Sequence, residues 1–542
     1  MPKALVRRVL EEPIEMRSSS MWSGMRPWPP EALPPGFELR LAALLNRVVE
    51  QVDSDGAVRS PCRSRVLESA LAVRLFRRVD PQSRHLRRVV DYLRDARSTA
   101  SPWDALTIDL ALDGPAEVPS SVWDDLLARS PDFTGSRKLA FLNAYLALCG
   151  AAPQTPELAA TGTLDGLHCW AAVQVTSTKV VLATESGRSD LVNDEDVRIL
   201  LGTQGQDGVW EGNVLLHLWA LHALDRLPGT ADVVRSGVRA LLVCQRPDGG
   251  FPFVTDTDTW CTATAGVALA TAGAPSSVLA RMASHLLERQ QPAGGWSYTD
   301  RSTQTDVDDT SVAVQFLHTL DPVAYAVPIA RGIRSLYAVR GHDSGFPTYI
   351  SGAPSEACMT AAVLDALTTD WCRHEDAIVS GLVYLAGNQF PDGHFAPDWS
   401  ASRFHTVFRV LLACDRNPEH QPPHVVDMVA KALDLVRAHQ NPDGGWGQQD
   451  GDASDPISTS YAIIALCGQD DSEPVSRGLE YLLSHQRPDG GISSVSDSIG
   501  PRPFIFTVPA LADIFPLLAL GHVARRVEQT ARDVTAVVPI HS

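Results

Sequence analysis

The chain has 542 residues, 44% hydrophobic and 20% charged, which is too long for one hydrophobic core and suits two or three domains. A formal net charge of −18 argues against a nucleic-acid partner, and an anionic ligand would need a local cationic pocket. No run reaches the roughly 18–20 consecutive apolar residues of a membrane span, and residues 1–8 lack the apolar stretch of a secretory signal. The nine cysteines show no CxxC pairing, so reduced thiols in a cytoplasmic protein are expected.

In chain order, the pattern is loose at first. Apolar helices are expected around 61–78, 137–149, 169–183 and 212–224, with one good turn motif at 204–210, and these read as an incomplete helical barrel. The turn motif, Gln-x-x-x-Gly-x-aromatic, starts at Gln204, Gln245, Gln290, Gln389 and Gln440, and returns at Gln486 with Ile492 in the aromatic's place. A degraded copy, Ser344-Gly345-Phe346, fills the widest gap, so the period is about 45 to 50 residues, the mark of a repeated supersecondary unit. Each unit has an outer helix with one apolar stripe (Val278, Met282, Leu286), a glycine turn, and an inner helix apolar all round. From Val233 onward there are six such pairs. Outer helices end near Cys244, Gln290, Val339, Asn388, Gln440 and Gln486; inner helices begin near Asp258, Asp308, Ser355, Arg403, Ser458 and Ile505. The fold class is therefore all-α, with an α/α barrel whose inner-helix N-termini share one mouth. The turn tryptophans Trp210, Trp296 and Trp446 are expected to stack on the turns and tie repeats together.

Within the repeats, Asp306-Val307-Asp308-Asp309 places three carboxylates in four residues, ahead of the apolar helix at 312–317. Carboxylates this close cannot all ionise cheaply, so a neutral carboxylic acid becomes available as a proton donor. Helix N-capping is the ordinary use of Asp306 and Asp309, and both uses are compatible.

The Q-x-x-D-G-x-W repeats together with D-V-D-D-T resemble the class II terpene cyclases, the superfamily of squalene-hopene cyclases and copalyl diphosphate synthases, over about 51–520. The resemblance implies two α-barrels, β and γ, with the active cavity between them: 1–40 and 231–542 in β, 41–230 in γ. It implies that Asp308 protonates a terminal alkene, with Asp306 and Asp309 holding and orienting its proton. A carbocation needs aromatic faces, which attract positive charge without acting as bases; Trp260, Phe404, His405, Phe408, Phe504 and Phe506 lie near inner-helix starts. His405 is also a candidate for the terminal deprotonation.

Thr360-Ala361-Ala362-Val363-Leu364 has Ala362 where squalene cyclases carry a histidine partner for the acid, and their apolar membrane-binding insertion is missing. The branch that cyclises linear prenyl diphosphates with the diphosphate retained is the remaining reading, for a C15 or C20 substrate with a slight preference for C15. Its anionic group would need Arg63, Arg65, Arg137, Lys138 or Lys179, with helix N-termini suiting phosphate. Mg²⁺ is implied by the resemblance, with Glu68, Asp190 and Glu195 standing in for the missing E-D-x-x-D motif. A zinc-dependent protein prenyltransferase shares the barrel, but the single D-x-C run, Asp370-Trp371-Cys372, follows an inner helix instead of opening one. A non-catalytic toroid would explain the repeats but not D-V-D-D in register with them.

Overall fold

The computed structural model describes residue 28 and residues 33–114, 119–128, 135–150, 164–205, 208–415 and 421–537. Most of the 1–40 segment expected to open the β domain lies outside the described residues. Two hydrophobic cores divide the rest: one gathers 28–62 with 254–523, the other 66–251 with Phe504.

In chain order the helices are α1 (Phe37–Glu50), α2 (Val66–Val79), α3 (Arg84–Ala96), α4 (Pro102–Leu112), α5 (Ser120–Ala128), α6 (Gly135–Leu148), α7 (Cys169–Glu185), α8 (Asp194–Leu201), α9 (Val214–Leu224) and α10 (Ala231–Leu242). These are followed by α11 (Asp258–Thr271), α12 (Ser276–Arg289), α13 (Val307–Leu320), α14 (Ala326–Val339), α15 (Ala357–Leu367), α16 (Trp371–Gly387), α17 (Phe404–Asp415), α18 (Pro423–Ala438), α19 (Pro456–Cys467), α20 (Ser472–Ser484) and α21 (Leu511–Val537). No helix of the described residues is long and apolar enough to cross a membrane.

In the large ring, α11, α13, α15, α17, α19 and α21 each pack on the next, and α21 returns to α11. Inner helices such as α19 are buried at every residue, whereas outer helices such as α12 bury one stripe, Val278, Leu279, Met282 and Leu286 among them. The turns are fastened by glutamine as well as by tryptophan. Gln290 donates from Nε2 to Gly294 O (2.8 Å) and to Pro328 O of the next outer helix (2.9 Å); Gln389 and Gln440 repeat this bridge. Trp296 and Trp446 are fully buried and donate from Nε1 to Leu286 O and Val436 O at 2.7 and 2.8 Å. Gly294 has φ of +104°, and a Cβ there would lie 2.5 Å from Arg331 O, so the turn requires glycine on both counts.

The ring closes differently from the expectation. The sixth outer helix is α1, which packs on α21 and α11, and Gln486 Nε2 bridges Gly490 O and Arg40 O. Helix α10, expected as an outer helix of this ring, places Val234, Val238 and Leu241 in the smaller core against α9 and α2. The domain limits therefore move from 41–230 to about 66–251, because the outer face that α21 and α11 present is already covered by α1. The last inner helix begins at Leu511 instead of near Ile505.

The small ring has α2, α4, α6, α7 and α9 inside, with α3, α5, α8 and α10 outside. Trp103 and Tyr145 (5.9 Å between rings) and Phe141 and Trp219 (4.8 Å) fill its core. A two-residue antiparallel ladder, β1 (Ser64–Arg65) on β2 (Phe251–Pro252), lies where the chain crosses between the rings, and a bridge from Asn213 to Val254 joins them.

Candidate active site

Between the rings lies a cavity of about 460 Å³. The small ring contributes Trp170, Leu215 and Leu216 to its wall; the large ring contributes Trp260, Tyr298, Tyr349, Met359, Trp399, Phe506 and Phe515. All three carboxylates of the D-V-D-D run also line it.

The run starts α13. Asp306 is the N-cap, accepting from Asp309 N at 2.8 Å, a bond that stabilises a helix start by about 1 kcal/mol. Its backbone N donates to Trp296 O (3.1 Å) and Val307 N to Thr348 O (2.9 Å), so the motif is tied to two repeat turns. Asp306 and Asp309 are buried and Asp308 is half-buried. Burial pushes Asp306 up to about 7, against the hydrogen bonds it takes from Asp309 and with a smaller push from the Asp308 charge. Burial first, then the Asp306 carboxyl beside it, drives Asp309 well above the usual carboxylate range. The trio therefore retains a proton near neutral pH.

Asp308 is oriented by Arg409 instead of by Asp306 and Asp309: Arg409 Nη1 donates to Asp308 Oδ1 at 2.5 Å, while Asp306 Oδ1 is taken up in capping. Arg409 is buried on α17, its guanidinium 5.7 Å from the Trp260 ring centre and 5.9 Å from that of Phe408. Sequence reasoning missed it. The signal was an arginine in the middle of an inner helix, where a buried charge needs an anionic partner indoors.

The predicted aromatics divide evenly. Trp260, His405 and Phe506 line the cavity. His405 Nδ1 is 2.8 Å from Asp398 Oδ2, which also accepts from Thr406 Oγ1 at 2.6 Å. Phe408 lies behind the wall, stacked 4.9 Å from Tyr461; Phe504 packs on Trp103; Phe404 is buried away from the cavity. These three sit on faces of their elements that turn to the core. Tyr298 and Tyr349, two and three residues past the turn aromatics Trp296 and Phe346, were missed because they belong to loops with no periodicity.

Of the predicted cations, Arg137 and Lys138 line the cavity, joined there by Arg502, which sequence reasoning missed. Arg502 pairs with Glu356 and lies 4.4 Å over the Trp399 ring. Burial, then Arg502, Arg65 and Arg137, pushes Lys138 down to about 7. The other cations are not there. Arg65 is held by Glu68 (Nε to Oε2, 2.7 Å) and donates to Gly500 O at 2.5 Å; Lys179 is held by Asp196 at 2.6 Å; the Arg63 side chain is exposed and off the cavity wall.

The predicted magnesium ligands do not fit that ion. Glu68 is fully buried with both oxygens on Arg65, while Asp190 and Glu195 are exposed and paired with Arg188 and Arg198. Among the described residues no three His, Cys, Asp or Glu side chains are placed to hold a metal.

One further carboxylate stands just behind the wall. Glu211 is buried and its backbone is in the left-handed region, φ 54° and ψ 19°, at a cost on the order of 1–3 kcal/mol for a residue other than glycine. Burial opposes its ionisation, but donors from Ser302, Thr303 and Gln304 outweigh it and hold the carboxyl below its usual range.

Comparison with known proteins places this geometry. Residues 350–525 match the squalene-hopene cyclase C-terminal domain, and residues 210–395 match the prenyltransferase alpha-alpha toroid domain. The chain is 38% identical over 503 residues to a drimenyl diphosphate synthase of Streptantibioticus cattleyicolor, covering 88% of this chain and 93% of that one. It is 36% identical over 499 residues to a drimenyl diphosphate synthase of Streptomyces showdoensis, with the same coverage. In fold it matches the ent-copalyl diphosphate synthase from Streptomyces platensis at a TM-score of 0.56 and 18% identity, over 90% of this chain and 99% of that one.

Proposed function

We propose, on the premise that this chain belongs to the class II terpene cyclases, that it closes farnesyl diphosphate, a linear C15 substrate, into a bicyclic drimane-type diphosphate. Protonation-initiated cyclisation is the reaction of the family, and a prenyl diphosphate is the substrate class of this chain. The C15 chain length is supported by the two drimenyl diphosphate synthases, which match along 88% of the sequence.

In this reading Asp308 delivers a proton to the distal double bond. The middle double bond attacks the resulting cation and the proximal one attacks the next, making two C–C bonds and two rings. A carbon beside the final cation then loses a proton and a double bond re-forms. One proton enters, one leaves, and the C–O bond to the diphosphate is untouched.

The single observation that carries the reading is the D-V-D-D trio on the wall of an aromatic cavity with Arg409 holding Asp308. An alkene is a very weak base, so the donor must have a well-stabilised conjugate base. Arg409 supplies this with a charge-assisted hydrogen bond, and the pair is the arrangement that proton transfer leaves behind. Asp306 and Asp309 keep a proton within reach of Asp308. Trp260, Tyr298, Tyr349 and Trp399 offer π faces to the cation. Arg137, Lys138 and Arg502 form the cationic pocket that a diphosphate needs on a chain of net charge −18, and binding it would return the proton to Lys138.

Incubating the full chain with farnesyl or geranylgeranyl diphosphate, followed by phosphatase and mass spectrometry, tests this. A bicyclic C15 alcohol is expected. A bicyclic alcohol from the C20 substrate alone would overturn the chain length.

A further inference from the structure

We propose that Glu211, a small-ring residue off the cavity wall, is a positioning residue for the acid motif, fixing the loop 302–304 from which the chain runs through Thr305 into Asp306. The inference rests on the reading of Asp308 as the acid.

Four donors converge on Glu211 Oε2: Ser302 Oγ (2.5 Å), Thr303 N (2.9 Å), Gln304 N (3.3 Å) and the indole Nε1 of Trp170 (3.3 Å). Thr303 Oγ1 donates to Oε1 at 2.8 Å. The backbone takes part too. Tyr298 OH donates to Glu211 O (2.7 Å), and Thr255 N donates to Gly212 O (2.8 Å). One residue thus ties together the loop before the acid and two aromatic walls of the cavity, Trp170 and Tyr298.

The conformation supports a role beyond packing. A left-handed backbone at a residue with a side chain persists only where its surroundings over-determine it. Here the unusual φ turns the carboxylate toward the loop of the other ring. That loop has no helix of its own to hold it: Gln291 Nε2 donates to Ser302 O (3.2 Å) at its start and Asp306 N to Trp296 O at its far end, and neither bond engages the N–H groups of Thr303 and Gln304. Remove the carboxylate, and two backbone N–H groups and two hydroxyls of the loop lose their acceptor at once. Asp308 then starts from a displaced helix N-terminus, and misplacement by about 1 Å is enough to cost on the order of 10²-fold in rate.

The test compares Glu211→Ala with Glu211→Gln in the full chain. The Gln amide can keep its oxygen at the Oε2 position and donate to Thr303 Oγ1, so it preserves most of the cradle. Glu211→Ala is expected to lower kcat by about 10- to 100-fold with KM for farnesyl diphosphate within about threefold, and to move the pH profile of kcat; Glu211→Gln should recover most of the loss. Unchanged kcat and pH profile in folded Glu211→Ala, a loss confined to KM, or a Gln variant no better than Ala would overturn the proposal. If Glu211→Ala does not fold, Ser302→Ala/Thr303→Val carries the same kcat expectation from the loop side, and unchanged kcat there overturns it. Asp308→Asn run alongside separates the two ideas: turnover in that variant sinks the acid assignment, whereas a silent Asp308→Asn with an unaffected Glu211→Ala sinks only the positioning role.

Discussion

The two rings follow one plan, inner helices wrapped by outer ones, yet they are fastened differently. In the large ring, Gln290, Gln389, Gln440 and Gln486 each clasp their own turn and the next outer helix, and Trp296 and Trp446 are sealed beneath. In the small ring a single clasp of this kind, Gln245 to His85 O, is found among the described residues, where the Gln204 side chain bonds to neighbouring Thr203. The regular ring carries the acid, whose chemistry depends on ångström placement. Arg137 and Lys138 come from the irregular ring, where attraction between charges tolerates looser geometry.

That contrast can be broken at several points. The largest effect is expected for Asp308→Asn, which should lower product formation by about 10³-fold or more in a chain that still folds, with Tm lowered because buried Arg409 loses its anionic partner; full turnover would remove chemistry from the large ring. Next comes stability. Trp446→Ala should cost about 3–5 kcal/mol in urea unfolding, and Trp210→Ala, at the unclasped turn, less. Equal losses would show that the two rings are fastened alike. Replacing both Arg137 and Lys138 with Ala should raise KM by about 10- to 100-fold, roughly 1.4 to 2.8 kcal/mol, with kcat within a few-fold; a loss in kcat alone would move the cations into the chemistry.

The smallest effect is one of pH. Burial holds the Asp306 proton up to about 7, whereas the unfolded carboxyl releases it near 3.8. Between those values the folded state binds more protons, so stability falls as pH rises through that window. The trio must also hold a proton to deliver one, so kcat should decline as pH passes about 7. A profile flat from pH 6 to 8.5 would contradict it.

The same contrast explains what was legible in the sequence. The repeats gave the inner helices of the large ring to within a few residues, because burial all round leaves an unbroken apolar run. The D-V-D-D trio was legible because it falls at a repeat's inner-helix start. The ring's sixth outer helix was not, since α1 and α10 both carry one apolar stripe and only tertiary packing decides which covers α21. Arg65 and Glu68, three residues apart at a helix start, fit an internal ion pair as readily as two separate ligands. Arg502 sits in a proline-flanked loop, Pro501-Arg502-Pro503, where no period points inward.

Gln486 closing on Arg40 O joins positions 446 residues apart. On the ribosome, α1 is made early and then waits for nearly the whole chain before its partners α21 and the last turn emerge. Meanwhile its apolar stripe, Leu44 and Val48 among it, has only the edge of α11 to rest on. Contacts of such long range form slowly, so the nascent molecule is exposed to aggregation until α21 is released.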